Sequence, residues 1–174
     1  MEVYWSLKNY PYEIKMKVSD GTKNSQQQEV KFQDGLDQEK ERFAKELVFL
    51  NNQFMQIRKF SNYINVKEYA IETNHLKDQI EKAFDQVRSF NEREVLFKQP
   101  QSEYHDLNEL QKDFEPFNKM WESAIEFDMD KQEWYNGPFL KLNYPLMEKK
   151  IDGYLKYSMK NIKLFTELEE ERTF

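Results

Sequence analysis

Residues 32–57 read FQDGLDQEKERFAKELVFLNNQFMQI, and the spacing of the apolar side chains in that stretch decides the fold. Phe32, Leu36, Phe43, Leu47, Leu50, Phe54 and Ile57 fall at steps of four and three, with one polar miss at Glu39. A helix of about 3.6 residues per turn brings such positions onto one stripe, so the stretch is a long helix with a coiled-coil-like seam. Phe49, Met55 and Phe60 widen the stripe, which favours packing into a bundle over a strict two-stranded coil. Gly35 weakens the helix near its start by about 1 kcal/mol relative to Ala. The expected span is Gln26 to Ser61.

Working outward toward the C-terminus, Ser61-Asn-Tyr-Ile-Asn65 turns the chain. Asn65 with Glu68 has the form of a capping box opening a second helix, expected from Val66 to Lys98. Tyr69, Leu76, Ile80, Ala83, Val87 and Phe90 repeat the seam spacing, with Thr73 as a polar interruption. Two such helices joined by a short turn must run antiparallel to bury each other's stripes, over roughly 45 to 50 Å. Toward the N-terminus, Trp5, Tyr10, Pro11, Tyr12, Ile14 and Val18 precede Ser19-Asp-Gly-Thr-Lys-Asn24. That turn-rich composition predicts a loop closing one short helix or two broken ones.

Gln99-Pro100-Gln-Ser102 ends the hairpin. A third helix is expected from Glu103 or Asp106, with Asp106 and Glu109 as a second capping box and Leu107, Leu110, Phe114, Phe117, Trp121 and Ile125 as its stripe. Pro116 lies inside that stripe, where a missing donor and a ring clash predict a kink or a restart. After Trp134, Tyr-Asn-Gly137-Pro138-Phe is a stop signal. A fourth helix follows Asn143 and Pro145, carrying Met147, Ile151, Tyr154 or Leu155, Ser158, Ile162 and Phe165, and weakened by Gly153. Its acidic Glu-Leu-Glu-Glu-Glu-Arg end opposes the helix dipole and is expected to fray.

Composition agrees with an all-α chain. Of 174 residues, 33% are charged and only nine are Gly or Pro, too little punctuation for a turn-rich β fold. The 14 Phe and 10 Tyr can bury enough area to exclude general disorder. A net charge of -6, with bases scattered among acids, leaves no electropositive stripe for nucleic acid. With no cysteine there are no disulfides and no thiol chemistry, which suits a reducing compartment. No stretch approaches the roughly 20 apolar residues of a membrane span, and no signal-peptide core follows Met1, so a soluble, unexported chain is expected. The start at Met1-Glu-Val-Tyr-Trp5 and the end at Phe174 suggest a segment of a longer protein.

No residue pattern announces chemistry. Gly21, Gly35, Gly137 and Gly153 are isolated, so no phosphate-binding glycine loop is formed. His75 and His105 lack a second His or Cys at ligand spacing, and Asp128, Asp130 and Glu133 lack the order of a calcium loop. Carboxylates are abundant enough for close pairs to arise on a solvated helix face without acid–base work. The expectation is therefore no catalytic residue, no cofactor and no metal. Trp121 reads as core. Trp134, beside the Asn136-Gly137-Pro138 break, reads as a contact to a neighbouring element.

A family resemblance enters between residues 86 and 140. Ser89-Phe-Asn91-Glu-Arg93-Glu94-Val-Leu96-Phe97, then Pro100, Ser102-Glu-Tyr104, Leu107 and Leu110, resembles a run in dynein heavy chains. Phe114-Glu-Pro116-Phe117, Met120-Trp121 and Glu133-Trp134-Tyr-Asn136-Gly137-Pro138-Phe139 are similar to the opening of the second N-terminal region, which becomes that family's linker. The style of the Arg93-Glu94 run is similar to axonemal chains. The resemblance implies a non-catalytic segment at the tail-to-linker junction, with the family's ATP sites far downstream. It would carry the linker's swing into the tail as load on packed helices.

On this reading residues 1–24 are a short N-terminal helical or irregular segment, 25–99 a long antiparallel helical hairpin of the tail, and 100–174 the start of the linker. Implied partners are neighbouring tail and linker helices, with intermediate or light chains or an adjacent heavy chain as further candidates; nucleic acid and membrane are not. The implied location is the axoneme, with cytoplasm as the alternative. A rival expectation is a free-standing helical adaptor that binds a partner helix in a Phe-rich groove.

Overall fold

In a computed structural model describing residues 2–171, four helices follow one another: α1 (Glu2–Ile57), α2 (Val66–Leu96), α3 (His105–Asn136) and α4 (Tyr144–Glu171). Single 3-10 turns at Tyr63–Asn65 and Phe139–Lys141 complete the regular structure, and no strand occurs among the described residues. The fold class is the all-α class that the seam spacing predicts.

The chain divides into two compact units. Unit 1 joins Met1–Glu46 to Arg88–Ser102, and unit 2 joins Leu47–Val87 to Glu103–Phe174. In unit 1, α1 and α2 run antiparallel: Phe43 meets Phe90 edge-on at 5.4 Å, and about one turn away Lys40 meets Glu94. Leu36 and Phe43 are each 1% exposed. In unit 2 the end of α1 and helices α2, α3 and α4 alternate in direction around aromatic contacts. Phe54 of α1 packs edge-on against Phe114 and Phe117 of α3, and Tyr69 of α2 packs against Trp121 at 4.9 Å. Helix α4 returns antiparallel along α3 through Phe117–Phe165, Phe127–Tyr154 and Asp130–Lys150. Edge-to-face pairs of this kind add about 0.5–1.5 kcal/mol each beyond area burial.

Several local expectations are corrected. The break at Ser19–Asn24 is absent, and α1 runs through it and through Pro11. Turn-forming residues weaken a helix without each terminating it, and the Thr22 hydroxyl donates back to the Val18 carbonyl at 2.8 Å. Phe32, expected in the seam, is 64% exposed. The capping box at Asn65 does not form. Asn65 ends the 3-10 turn, whose cap is Asn62 accepting from the Ile64 N–H at 3.0 Å. Nor does the Asp106–Glu109 box form, because α3 starts one residue earlier, at His105, with Tyr104 as a cap lacking a side-chain bond.

Helix α3 continues through Pro116 with no restart. Proline removes one donor, and the packing of Phe114 and Phe117 on either side holds the helix in place. Gly137 does end α3, though not in a left-handed conformation: its φ is -74° and its N–H donates to the Glu133 carbonyl at 2.8 Å. The reason for glycine is close approach, since a Cβ there would sit 2.5 Å from that carbonyl oxygen. Asn143 caps α4 through the Leu146 N–H at 3.2 Å. Helix α4 keeps its form through the acidic run to Glu171, and Arg172, at the end of the expected fray, lies outside the described residues.

Candidate functional site

The motif Asn91-Glu-Arg93-Glu94 occupies the last turns of α2, where its polar side chains tie together parts of unit 1. The helix closes with Phe97 N–H donating to the Arg93 carbonyl, Lys98 N–H to Val95 at 3.0 Å and Gln99 N–H to Glu94 at 2.9 Å. This is the Schellman pattern, with Lys98 at φ 57° in the left-handed position usually given to glycine. The reversal sends Pro100 outward and brings Ser102 back against the helix it has just left.

Glu94 is the centre of this clasp, with a side chain only 1% exposed. Its carboxylate accepts from Lys40 Nζ at 2.5 Å, from the Ser102 hydroxyl at 2.6 Å and from the Ser102 N–H at 2.7 Å. With its amide turned to satisfy both neighbours, Asn91 donates to Glu94 Oε2 at 3.3 Å and to the Ser102 carbonyl at 3.2 Å. Burial alone would push the Glu94 carboxyl up. The Lys40 ammonium and the two Ser102 donors outweigh it and hold the carboxyl below the ordinary range. One carboxylate thus joins α1, α2 and the start of the following loop.

A second pair lies beside it at the surface. Arg93 Nη2 donates to Glu39 Oε2 at 2.5 Å, and that bond holds the Glu39 carboxyl below its ordinary range. Glu39 is the polar miss in the α1 seam. It faces Arg93 as Lys40 faces Glu94, so adjacent charges on α1 meet adjacent charges of opposite sign on α2. Sequence reading singled out Arg93 and Glu94, and Ser102 as part of the Ser102-Glu-Tyr104 run, but not Lys40. The available signal was the seam defect itself, because a charge inside an apolar stripe needs an opposite charge across the hairpin.

Of the remaining motif residues, Leu96 is 78% exposed and Phe97 is half-buried. Tyr104, Leu107, Pro116, Trp121, Trp134, Gly137 and Pro138 belong to unit 2. Leu107 is 1% exposed and Trp121 is 5% exposed, against Tyr69 and Phe60. Pro116 and Trp134 are half-buried, while Pro138 is exposed and caps the 3-10 turn. Unit 2 has polar ties of its own. Lys77 donates to Glu122 at 3.0 Å, and Asp130 takes Lys150 at 2.6 and 2.7 Å together with the Tyr154 hydroxyl at 2.8 Å. Burial and then the Asp130 carboxylate push the Tyr154 hydroxyl up to about 12, so it stays a donor.

Among the described residues, no group of three or more His, Cys, Asp or Glu could hold a metal ion, and no helix is long and apolar enough to cross a membrane. The chemistry visible in both units is that of attachment between helices.

No protein-family model matches the chain, and no solved structure matches it. Curated proteins do. Dynein axonemal heavy chain 12 of Rattus norvegicus is 28% identical over 122 residues, 67% of this chain. Dynein axonemal heavy chain 3 of Homo sapiens is 27% identical over 107 residues, 62% of this chain. Dynein axonemal heavy chain 1 of Homo sapiens is 23% identical over 175 residues, 94% of this chain. The likeness is longer than the stretch from 86 to 140 over which motifs carry it. The chain spans about 4% of the length of the heavy chain 12 and heavy chain 1 relatives. The homologues of this chain are the axonemal dynein heavy chains, and it corresponds to a short stretch of them.

Proposed function

We propose that this chain is the tail-to-linker stretch of an axonemal dynein heavy chain and serves there as a non-catalytic, force-bearing joint. Residues 25–99 would close the tail and residues 100–174 would open the linker. The neighbouring helices of the same heavy chain are its partners and the axoneme is its place of work. The observation that carries the reading is the Glu94 clasp. The residues most like the family's motif are spent on fastening α1, α2 and the following loop together, which is what a load-bearing joint requires. Helix seams transmit force only while packed, and a buried charged tie resists sliding of one helix along another more than interchangeable apolar contacts do.

The test replaces Lys40 with Met in the intact heavy chain and measures ATP turnover and microtubule gliding together. The expected result is turnover within about twofold of the parent and gliding slowed by a larger factor, because the motor still cycles while its joint yields. Equal losses in both, or no loss in either, would overturn the joint. A reading frame that closes at Phe174 would overturn the heavy-chain assignment itself and favour the free-standing adaptor.

A further inference from the structure

All four glycines of the chain follow an acid or its amide: Asp20-Gly21, Asp34-Gly35, Asn136-Gly137 and Asp152-Gly153. Such pairs share one chemistry. Glycine has no Cβ to shield its backbone nitrogen, so that nitrogen can reach the side-chain carbonyl carbon of the residue before it and close a five-membered ring. Closure needs a ψ at the Asp or Asn well away from the helical value of about -42°, so continuous helix suppresses it. The structure separates the four pairs on this ground. Gly21 and Gly35 lie inside α1 and Gly153 inside α4, whereas Asn136 is the last residue of α3 and Gly137 lies beyond it, extended at φ -74° and ψ 160°.

Other features set Asn136 apart. Its amide carbon accepts a nucleophile more readily than an ionised carboxylate does, and its side chain is exposed and makes no hydrogen bond among the described residues. The glycine after it is required, because a Cβ at Gly137 would sit 2.5 Å from the Glu133 carbonyl oxygen, whereas at Gly21, Gly35 and Gly153 it would meet nothing within 4 Å. The sharp stop of α3 therefore brings the labile pair with it. One contact holds the pair in check. The Gly137 N–H donates to the Glu133 carbonyl at 2.8 Å, which closes the last turn of α3 and keeps that nitrogen from attacking. Terminal helical turns are the ones that open most readily.

We propose that Asn136 is a site of spontaneous deamidation and isoaspartate formation, gated by opening of the last turn of α3. When the bond to Glu133 opens, the Gly137 nitrogen loses its proton to solvent and attacks Asn136 Cγ. The Cγ–Nδ2 bond breaks, the amide nitrogen leaves as ammonia, and a succinimide remains. Water then opens the ring. Addition at Cγ gives aspartate on the original main chain; addition at the main-chain carbonyl gives isoaspartate, with the chain rerouted through Cγ. The net change is one water consumed and one ammonia released. Either product puts a carboxylate at the C-terminal end of α3, where the helix dipole opposes it, and isoaspartate also lengthens the main chain by a methylene just before the 3-10 turn Phe139–Lys141. The site does not depend on the force-bearing reading of the chain.

The test incubates the full chain in mildly alkaline buffer and follows the tryptic peptide 132–141 by mass, with isoaspartate detected by an isoaspartyl methyltransferase. A synthetic peptide of the same residues, too short to hold a helix, gives the ungated rate. Conversion in the folded chain is expected at Asn136 before Asp20, Asp34 and Asp152, slower than in the peptide by a factor between about three and a hundred. In unfolding urea that difference should vanish. Asn136→Gln, whose ring would need six members, should keep its mass over the same period; a mass gain there would place the reaction elsewhere and overturn the assignment. A folded-chain rate equal to the peptide's would overturn the gate. Protection beyond about a hundredfold, or isoaspartate arising first at any Asp-Gly pair, would overturn the site.

Discussion

Glu94 is held by four donors, from Lys40, Ser102 and Asn91, and taking the ammonium away leaves a carboxylate that its burial cannot accommodate. Lys40→Met keeps the stem of the side chain and removes the ammonium, so the cost isolates the charge. Breaking a buried pair from one side destabilises by about 3 kcal/mol, whereas the half-exposed Glu39–Arg93 pair contributes about 0.5 kcal/mol. Urea unfolding of Lys40→Met at pH 7 should show the larger figure, and a loss under about 1 kcal/mol would mean that the clasp is ornamental. The sign with pH follows from the depressed Glu94 value. Its stabilisation is complete above the ordinary carboxylate value of 4.5 and is lost as pH falls through the lower folded value. The difference between parent and variant should therefore shrink below pH 4.5. Arg93 and Glu94 were legible in the sequence as motif; their pairing with Glu39 and Lys40 was not, because register across a hairpin depends on the geometry of the turn.

Helices were the most legible scale. The apolar spacing located α2, α3 and α4 to within a few residues, since many side chains vote on each. Individual breakers misled: Ser19–Asn24 and Pro116 both lie within continuous helix, because one or two unfavourable residues cost less than a new pair of helix ends. Helix α1 makes this testable. Residues 10–32 are exposed throughout, so that part of α1 rests on local propensity. A methyl group added at Gly21 would meet nothing within 4 Å, so Gly21→Ala introduces no clash. It should stabilise the helix by about 0.5–1 kcal/mol, read as greater ellipticity at 222 nm and slower amide exchange around residue 21. Unchanged exchange there would argue against a helix across that stretch.

At the scale of the whole molecule, burial and charge set how the chain behaves in solution. Aromatic residues form much of the buried surface, yet Tyr135, Phe139 and Leu140 are 82%, 84% and 97% exposed about the turn after α3. Composition foretold a folded helical chain but not which apolar residues would stay outside, since that depends on which stripes find a partner. Exposed apolar surface is kept apart by net charge, here -6 at pH 7 and zero near a pI of about 5.2. Folding and repulsion should therefore fail at different pH values. The carboxylates of Glu39 and Glu94, both held below the ordinary range, remain ionised near pH 5 and keep the unit 1 ties intact. Light scattering should rise to a maximum near pH 5 while ellipticity at 222 nm is retained, and ellipticity should decline only at lower pH. Ellipticity lost before or together with the rise in scattering would show instead that association follows unfolding, and the clasp would then hold less of the fold than its geometry implies.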